Sequence, residues 1–253
     1  MGATGLRERL RRGDVLAGTF LNLGSALAAE ACGVAGLDWV LIDLEHGSGS
    51  EGDLLAQLHG ARAGGVHAVV RVESAERPRA GRALDLGAEG IMVPRIDGVQ
   101  EARAAVAHLH YAPHGDRGVA TYNRACAFGT RPQAIAEAAR HTVGIVQIET
   151  PAAVAAAGDI AALDGVDALF VGPGDLSHAM GAFGRVDAPE FQQALRTVVA
   201  AADAHGKAAG ILVPGHEAVP GMLALGFTLI AVGSDSTLMV AGARAAAAAV
   251  HAT

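Results

Sequence analysis

Asp43, Glu45 and His46 stand together at the end of the apolar run DWVLIDLEH. Arg71 and Glu73 close VVRVE, Pro94 and Arg95 close GIMVPR, and Gln147 and Glu149 close TVGIVQIE. Gly172-Pro173-Gly174-Asp175 and Ser234-Asp235 follow two further runs of this kind. An imidazole close to a carboxylate suits general base chemistry, because the carboxylate fixes its tautomer and raises its basicity. His46, three residues after Asp43, has that spacing. A guanidinium such as Arg71 requires an anion, from a substrate or from the protein. Two carboxylates with neither a thiolate nor a His at ligand spacing favour a hard cation such as Mg²⁺ or Mn²⁺, which keeps positions open for water or a substrate with two oxygens. Glu149 and Asp175 are such a pair. Each residue also has a plainer reading: Glu149 and Asp175 as N-caps of ETPAA and GDLSH, His46 as an exposed loop histidine, and Arg71 as the ion-pair partner of Glu73 or a rim carboxylate.

The elements that must carry these groups follow one pattern. An Ala-rich helical stretch ends in Gly, which suits a helix C-cap. A short apolar run follows, then a polar turn. Such runs are too short for helices and read as strands buried on both faces of a parallel sheet. The expected strands are 15–21, 38–43, 66–71, 90–94, 143–149, 166–171, 207–212 and 227–232. Eight strand–helix units in 253 residues have the size of a (β/α)8 barrel, with a doubly wound open sheet as the alternative. In a barrel, every group named above falls at the C-terminal ends of the strands, where barrel enzymes keep their active sites. No composition break appears, so 1–253 reads as one domain. The widest irregular segment, 111–132, has the length of a functional loop.

Composition removes several classes. The net charge is −7 and residues 7–12 are the one basic cluster, which argues against a nucleic-acid partner. The start of the chain is charged and lacks the apolar core of a signal peptide, and the longest uncharged stretch, 218–234, is broken by Pro220, Gly221, Gly226 and Gly233. A soluble, cytoplasmic protein is expected, with Cys32 and Cys126 as buried free thiols. Gly47-Ser-Gly-Ser-Glu-Gly52 matches a dinucleotide fingerprint, but Glu51 and Asp53 occupy the helix start where a pyrophosphate would bind, and SGSE reads as a capping box. HLHYAPH at 108–114 fits a fraying helix end and a proline turn better than a metal tract, and Ser177 lacks a nucleophile elbow.

DWVLIDLEHG, VVRVE, LDLGAEGIMVPRIDGVQEARAAV, YAPHGDRGVA, VQIETPAAV, GVDALFVGPGDLS and KAAGIL…GFTLIAVGSD together resemble, in order, the HpcH/HpaI class II pyruvate aldolase family, over about residues 14–240. The resemblance implies a (β/α)8 barrel assembled as a homo-oligomer, a hexamer built as a trimer of dimers, with the C-terminal helix, about 235–250, exchanged between subunits. It implies a divalent cofactor (Mg²⁺, Mn²⁺ or Co²⁺) held by Glu149 and Asp175, and no nucleotide. His46 corresponds to the catalytic base, Arg71 to the enolate-stabilising arginine, and Gln147, Gly174 and Leu212 to substrate-contacting positions. Asp85 corresponds to an aspartate acting on the histidine across a subunit interface, and Asp43 to a direct support of His46. The sequence departs from the family at GPGDLS, which has Gly174 in place of Ala, and in RGVATYNRACAFG, where Arg124 and Tyr122 are expected at the aldehyde pocket. The implied reaction is reversible cleavage of a 4-hydroxy-2-oxo acid to pyruvate, or hydroxypyruvate, and an aldehyde. The alternatives are a citrate-synthase-like or malyl-CoA-lyase-like relative, and a barrel that binds pyruvate and metal without turnover.

Lys207 is the one lysine in the chain. Aldolases that work without a metal need a lysine amine for a Schiff base. Lys207 opens the seventh expected strand, at the end of the barrel away from the active face, which excludes that route.

Overall fold

The computed structural model describes residues 4–252; the first three residues and the last, which the 1–253 domain expectation includes, lie outside them. Eight parallel strands close on themselves in sequence order: β1 Leu16–Leu21, β2 Trp39–Asp43, β3 His67–Arg71, β4 Gly90–Val93, β5 Val143–Ile148, β6 Ala168–Val171, β7 Ala208–Val213 and β8 Leu229–Ser234. Pairing of Leu16 with Leu229 joins the last strand to the first, so the open-sheet alternative is set aside. Each strand lies within two residues of its expected bounds.

The helices are α1 Leu6–Arg11, α2 Ala26–Val34, α3 Glu51–Gly64, α4 Arg77–Asp85, α5 Val99–Ala107, α6 Ala134–Glu137, α7 Pro151–Ala155, α8 Ala157–Ala161, α9 Pro173–Ala179, α10 Pro189–Ala204, α11 Val219–Leu225 and α12 Asp235–His251. Gly65 ends α3 in the left-handed conformation, as the helix–Gly–strand pattern requires. The capping box of α3 is formed by Ser50 and Asp53, two residues later than SGSE suggests. Among the described residues no helix is long and apolar enough to cross a membrane.

Two apolar clusters make the core. One lies between strands and helices; the other fills the barrel with Leu16, Phe20, Trp39, Leu41, Val69, Met92, Ile145 and Phe170. Leu6 and Leu10 of α1 join the inner cluster and close the floor. The chain has few aromatics, and Trp39 fits inside because Gly18 faces it: a Cβ there would overlap the indole. Successive side chains alternate between interior and exterior, so inward Trp39 and Leu41 make Asp43 inward, and inward Val69 makes Arg71 inward. The same count carries Val143 and Ile145 to Gln147. The interior is apolar below and polar at the mouth.

Candidate active site

Asp43 and Arg71 are register partners on β2 and β3. The Arg71 guanidinium donates through Nε to Asp43 Oδ1 at 2.9 Å and through Nη2 to Oδ2 at 2.7 Å. Its Nη1 lies 3.1 Å from Glu45 Oε2 and donates to Gln147 Oε1 at 3.4 Å. The Phe20 ring lies under it, 5.2 Å from the guanidinium carbon. All of these groups except the Glu45 side chain are at least nine-tenths buried. The expected alternative partner, Glu73, pairs instead with Arg79. Arg71 is therefore a fixed cation with one edge held by a carboxylate fork.

The support expected from Asp43 to the His46 ring takes another form. Asp43 Oδ1 accepts the backbone N–H groups of Glu45 and His46 at 3.1 and 3.3 Å, which shapes the turn. The ring itself is largely exposed, and the carboxylate nearest it is Glu45, with Oε2 3.9 Å from Nε2. With both oxygens engaged in the two-bond fork on Arg71, Asp43 reaches His46 through the backbone N–H. Burial pushes the Glu45 carboxyl above its ordinary value, against the pull of Arg71 and His46 and with the help of Glu149 and Asp43.

Glu149 follows β5 and is buried. Its Oε1 accepts the Arg95 N–H at 2.6 Å, and its Oε2 accepts from Gln147 Nε2. It is not a helix cap, since Thr150 caps α7. Burial raises its pKa first of all, the Arg95 N–H opposes, and the charge of Asp175 raises it further. Asp175 stands exposed in the first turn of α9, whose N-cap position is Gly172. Gly174 precedes it there, with an N–H that has no partner within the helix. Leu212 lines a pocket of ≈ 390 Å³ at this end of the barrel with Phe20, Asn22, Asp43, Pro173 and Ser234.

Asp43 and Glu45 pair with the Arg71 guanidinium, and Glu149 feels the charges of both Arg71 and Asp175, so four carboxylates share the mouth with one buried guanidinium. That excess of negative charge, and the raised pKa of Glu149, suit a cation. Among the described residues no group of three or more His, Cys, Asp and Glu converges on one metal position. A cation at Glu149 and Asp175 would complete its shell with water and substrate oxygens, as a hard divalent ion does.

Two expected residues lie elsewhere in the chain. Asp85 sits at the end of α4 that leads into the start of β4, opposite the mouth, where Arg117 Nη2 donates to it at 2.7 Å. Arg124 donates to the Leu86 carbonyl at 2.6 Å, at that same end of α4. The 111–132 loop thus runs down to the α4 terminus, and within its own barrel Arg124 stands at that end. Tyr122, in the same loop, is exposed. Asp235 is used structurally, accepting the N–H groups of Asn22 and Leu23.

The roles of two residues that the sequence places at the strand ends escape a reading of it. Gly172 leaves room for Gln147 and Glu149: a Cβ there would stand 2.8 Å from Gln147 Nε2 and 3.1 Å from Glu149 Oε2. Arg95 adopts a left-handed backbone, φ 56°, which points its N–H at Glu149. Local sequence flags neither, although the Gly after VDALFV is the only residue type that fits.

Polar groups converging on the C-terminal ends of eight parallel strands define a barrel enzyme. The chain matches the model of the HpcH/HpaI aldolase/citrate lyase family over residues 16–241, and it belongs to that family. It is 39% identical to the 5-keto-4-deoxy-D-glucarate aldolase of Salmonella arizonae over 229 residues, 90% of each chain. It is 39% identical to the hydroxypyruvate/pyruvate aldolase of Delftia acidovorans, across 94% of this chain and 88% of that one. A crystal structure of a family protein from Burkholderia cenocepacia J2315 superposes with a TM-score of 0.93 at 37% identity, across 97% of this chain and 98% of the other. Both activities in the family's description cleave carbon–carbon bonds, and the chain is a carbon–carbon lyase.

Proposed function

We propose that the chain is a divalent-metal-dependent aldolase that cleaves a 4-hydroxy-2-oxo acid to pyruvate, or hydroxypyruvate, and an aldehyde. The observation that carries this reading is the Asp43–Arg71 fork beside the buried Glu149. The aldolase relatives support it. Glu149 and Asp175 would hold the cation, which when bound supplies Lewis acidity toward the 2-oxo acid.

The remaining chemistry belongs to the chain. Gln147 and the Gly174 N–H orient the oxo acid, and Phe20 and Leu212 wall it. His46, on the exposed side, takes the 4-hydroxyl proton through one water. The C3–C4 bond breaks, its electron pair becomes the pyruvate enolate, and the aldehyde leaves. Arg71 donates to the enolate oxygen from the edge opposite Asp43, exchanging its Nη1 contacts with Glu45 and Gln147 for it, while the Asp43 fork holds the guanidinium in place as the charge develops. C3 then takes up a proton through the same water, His46 returns to its neutral form, and pyruvate is released.

The partner is a second copy of the chain. Of α12, Asp235 alone is buried; Leu238, Met239 and Val240 are 45%, 61% and 45% exposed. The helix touches its own barrel at β1 and β8 and leaves an apolar side uncovered, as a helix that docks on a neighbouring subunit would. Pyruvate release measured on Arg71→Ala and His46→Ala tests the assignment: each falls by orders of magnitude with the barrel folded, and full activity in either overturns it.

A further inference from the structure

The floor of the barrel, opposite the acidic mouth, collects cations. A cavity of ≈ 490 Å³ opens there beside α1, lined by Arg7, Arg11, His110, Arg140, Asp164 and Lys207 among others. Arg7 is 8% exposed and is fixed in place: Nε donates to Asp167 Oδ1 at 2.8 Å and Nη1 donates to the Ala139 carbonyl. Asp167, buried behind it, also accepts the Gly144 N–H at 3.1 Å and has Arg11 Nε 3.8 Å away. Lys207 Nζ donates to the carbonyls of Val166 and Leu163 at 2.7 and 3.5 Å.

These bonds leave donors over. A guanidinium carries five N–H groups and an ammonium three, with no acceptor between them. Arg7 and Lys207 each keep unused N–H groups, and Arg140, exposed on the rim, has no hydrogen bond or ion pair among the described residues. His110 is 6% exposed and its Nε2 has no hydrogen-bond partner. Three arginines, Arg7, Arg11 and Arg140, and Lys207 stand with two carboxylates, Asp164 and Asp167, in a chain whose net charge is −7. Burial lowers the Lys207 ammonium below its ordinary value, Asp167 and Asp164 oppose it, and Arg11 and Arg7 add to it, so an anion brought beside the desolvated ammonium would be favoured. What the cavity lacks is negative charge and acceptors.

We propose that this floor cavity is a second ligand site, built for a small dianionic oxyanion and separate from the aldolase mouth. Phosphate and a short dicarboxylate share that chemistry. Titration calorimetry on the whole protein, at constant ionic strength, with sodium phosphate, sodium succinate and sodium chloride, tests it. Saturable binding of phosphate or succinate, absent with chloride, is expected, and whichever binds identifies the source. Arg11→Ala/Arg140→Ala removes two exposed side chains, so the variant should fold and its affinity should fall by about tenfold or more. Unchanged affinity in that variant, or no saturable binding of either dianion to the wild type, overturns the proposal.

Discussion

Asp43 and Arg71 face each other across the β2–β3 ladder and close a two-bond ion pair, 2.9 and 2.7 Å, in the top layer of the barrel. The register makes the pair, and the pair makes Arg71 a directed donor. Arg71→Lys keeps the charge and loses the fork, so turnover falls by about 10²-fold or more while KM for the oxo acid changes less. Asp43→Ala leaves a buried guanidinium with Glu45 and Gln147 as its remaining partners, and stability falls by about 3 kcal/mol in urea denaturation. Wild-type turnover in Arg71→Lys would separate the fork from catalysis.

Gly172→Ala adds a methyl group 2.8 Å from Gln147 Nε2 and 3.1 Å from Glu149 Oε2. Both side chains are buried and neither can yield freely. The variant should need a higher metal concentration for half-maximal activity, with the circular dichroism spectrum of the wild type. An unchanged metal dependence would show that Glu149 is not held where the Gly leaves it room.

His110 gives stability a pH dependence of defined sign. Burial lowers its pKa below 6.5, Arg7, His114 and Arg117 lower it further, and Asp167 opposes them. The unfolded chain therefore binds the proton more readily than the folded one between the lowered pKa and 6.5. Stability from this group is present above 6.5 and is lost as pH falls through that window. Melting temperature measured against pH should drop less steeply on the acid side in His110→Gln; superimposable slopes would contradict the assignment.

Lys207 donates to main-chain carbonyls at the floor, on the far side of the barrel core from Glu149. Borohydride reduction in the presence of pyruvate should leave the protein mass unchanged. A covalent adduct would point to Schiff-base chemistry.

Much of this molecule is legible in its sequence because both faces of each strand are buried. Apolar runs such as VVRVE and VQIET mark the strands, and the polar residue ending each run is the one at the mouth. Period-two counting even relates Asp43 to Glu45 and Gln147 to Glu149. What stays hidden depends on pairing between strands. Nothing near Asp43 says that its carboxylate meets Arg71 rather than the His46 ring. The left-handed Arg95, whose N–H holds Glu149, lies in an unremarkable VPRID, and the path of the 111–132 loop, which carries Arg124 to Leu86, is set by tertiary contacts.

Pyruvate release from a panel of 4-hydroxy-2-oxo acids, before and after complete chelation of divalent metal, tests the mechanism most directly. Cleavage should vanish with EDTA, return on addition of Mg²⁺, Mn²⁺ or Co²⁺, and fail to return in Glu149→Gln. Cleavage undiminished after complete metal removal would contradict it.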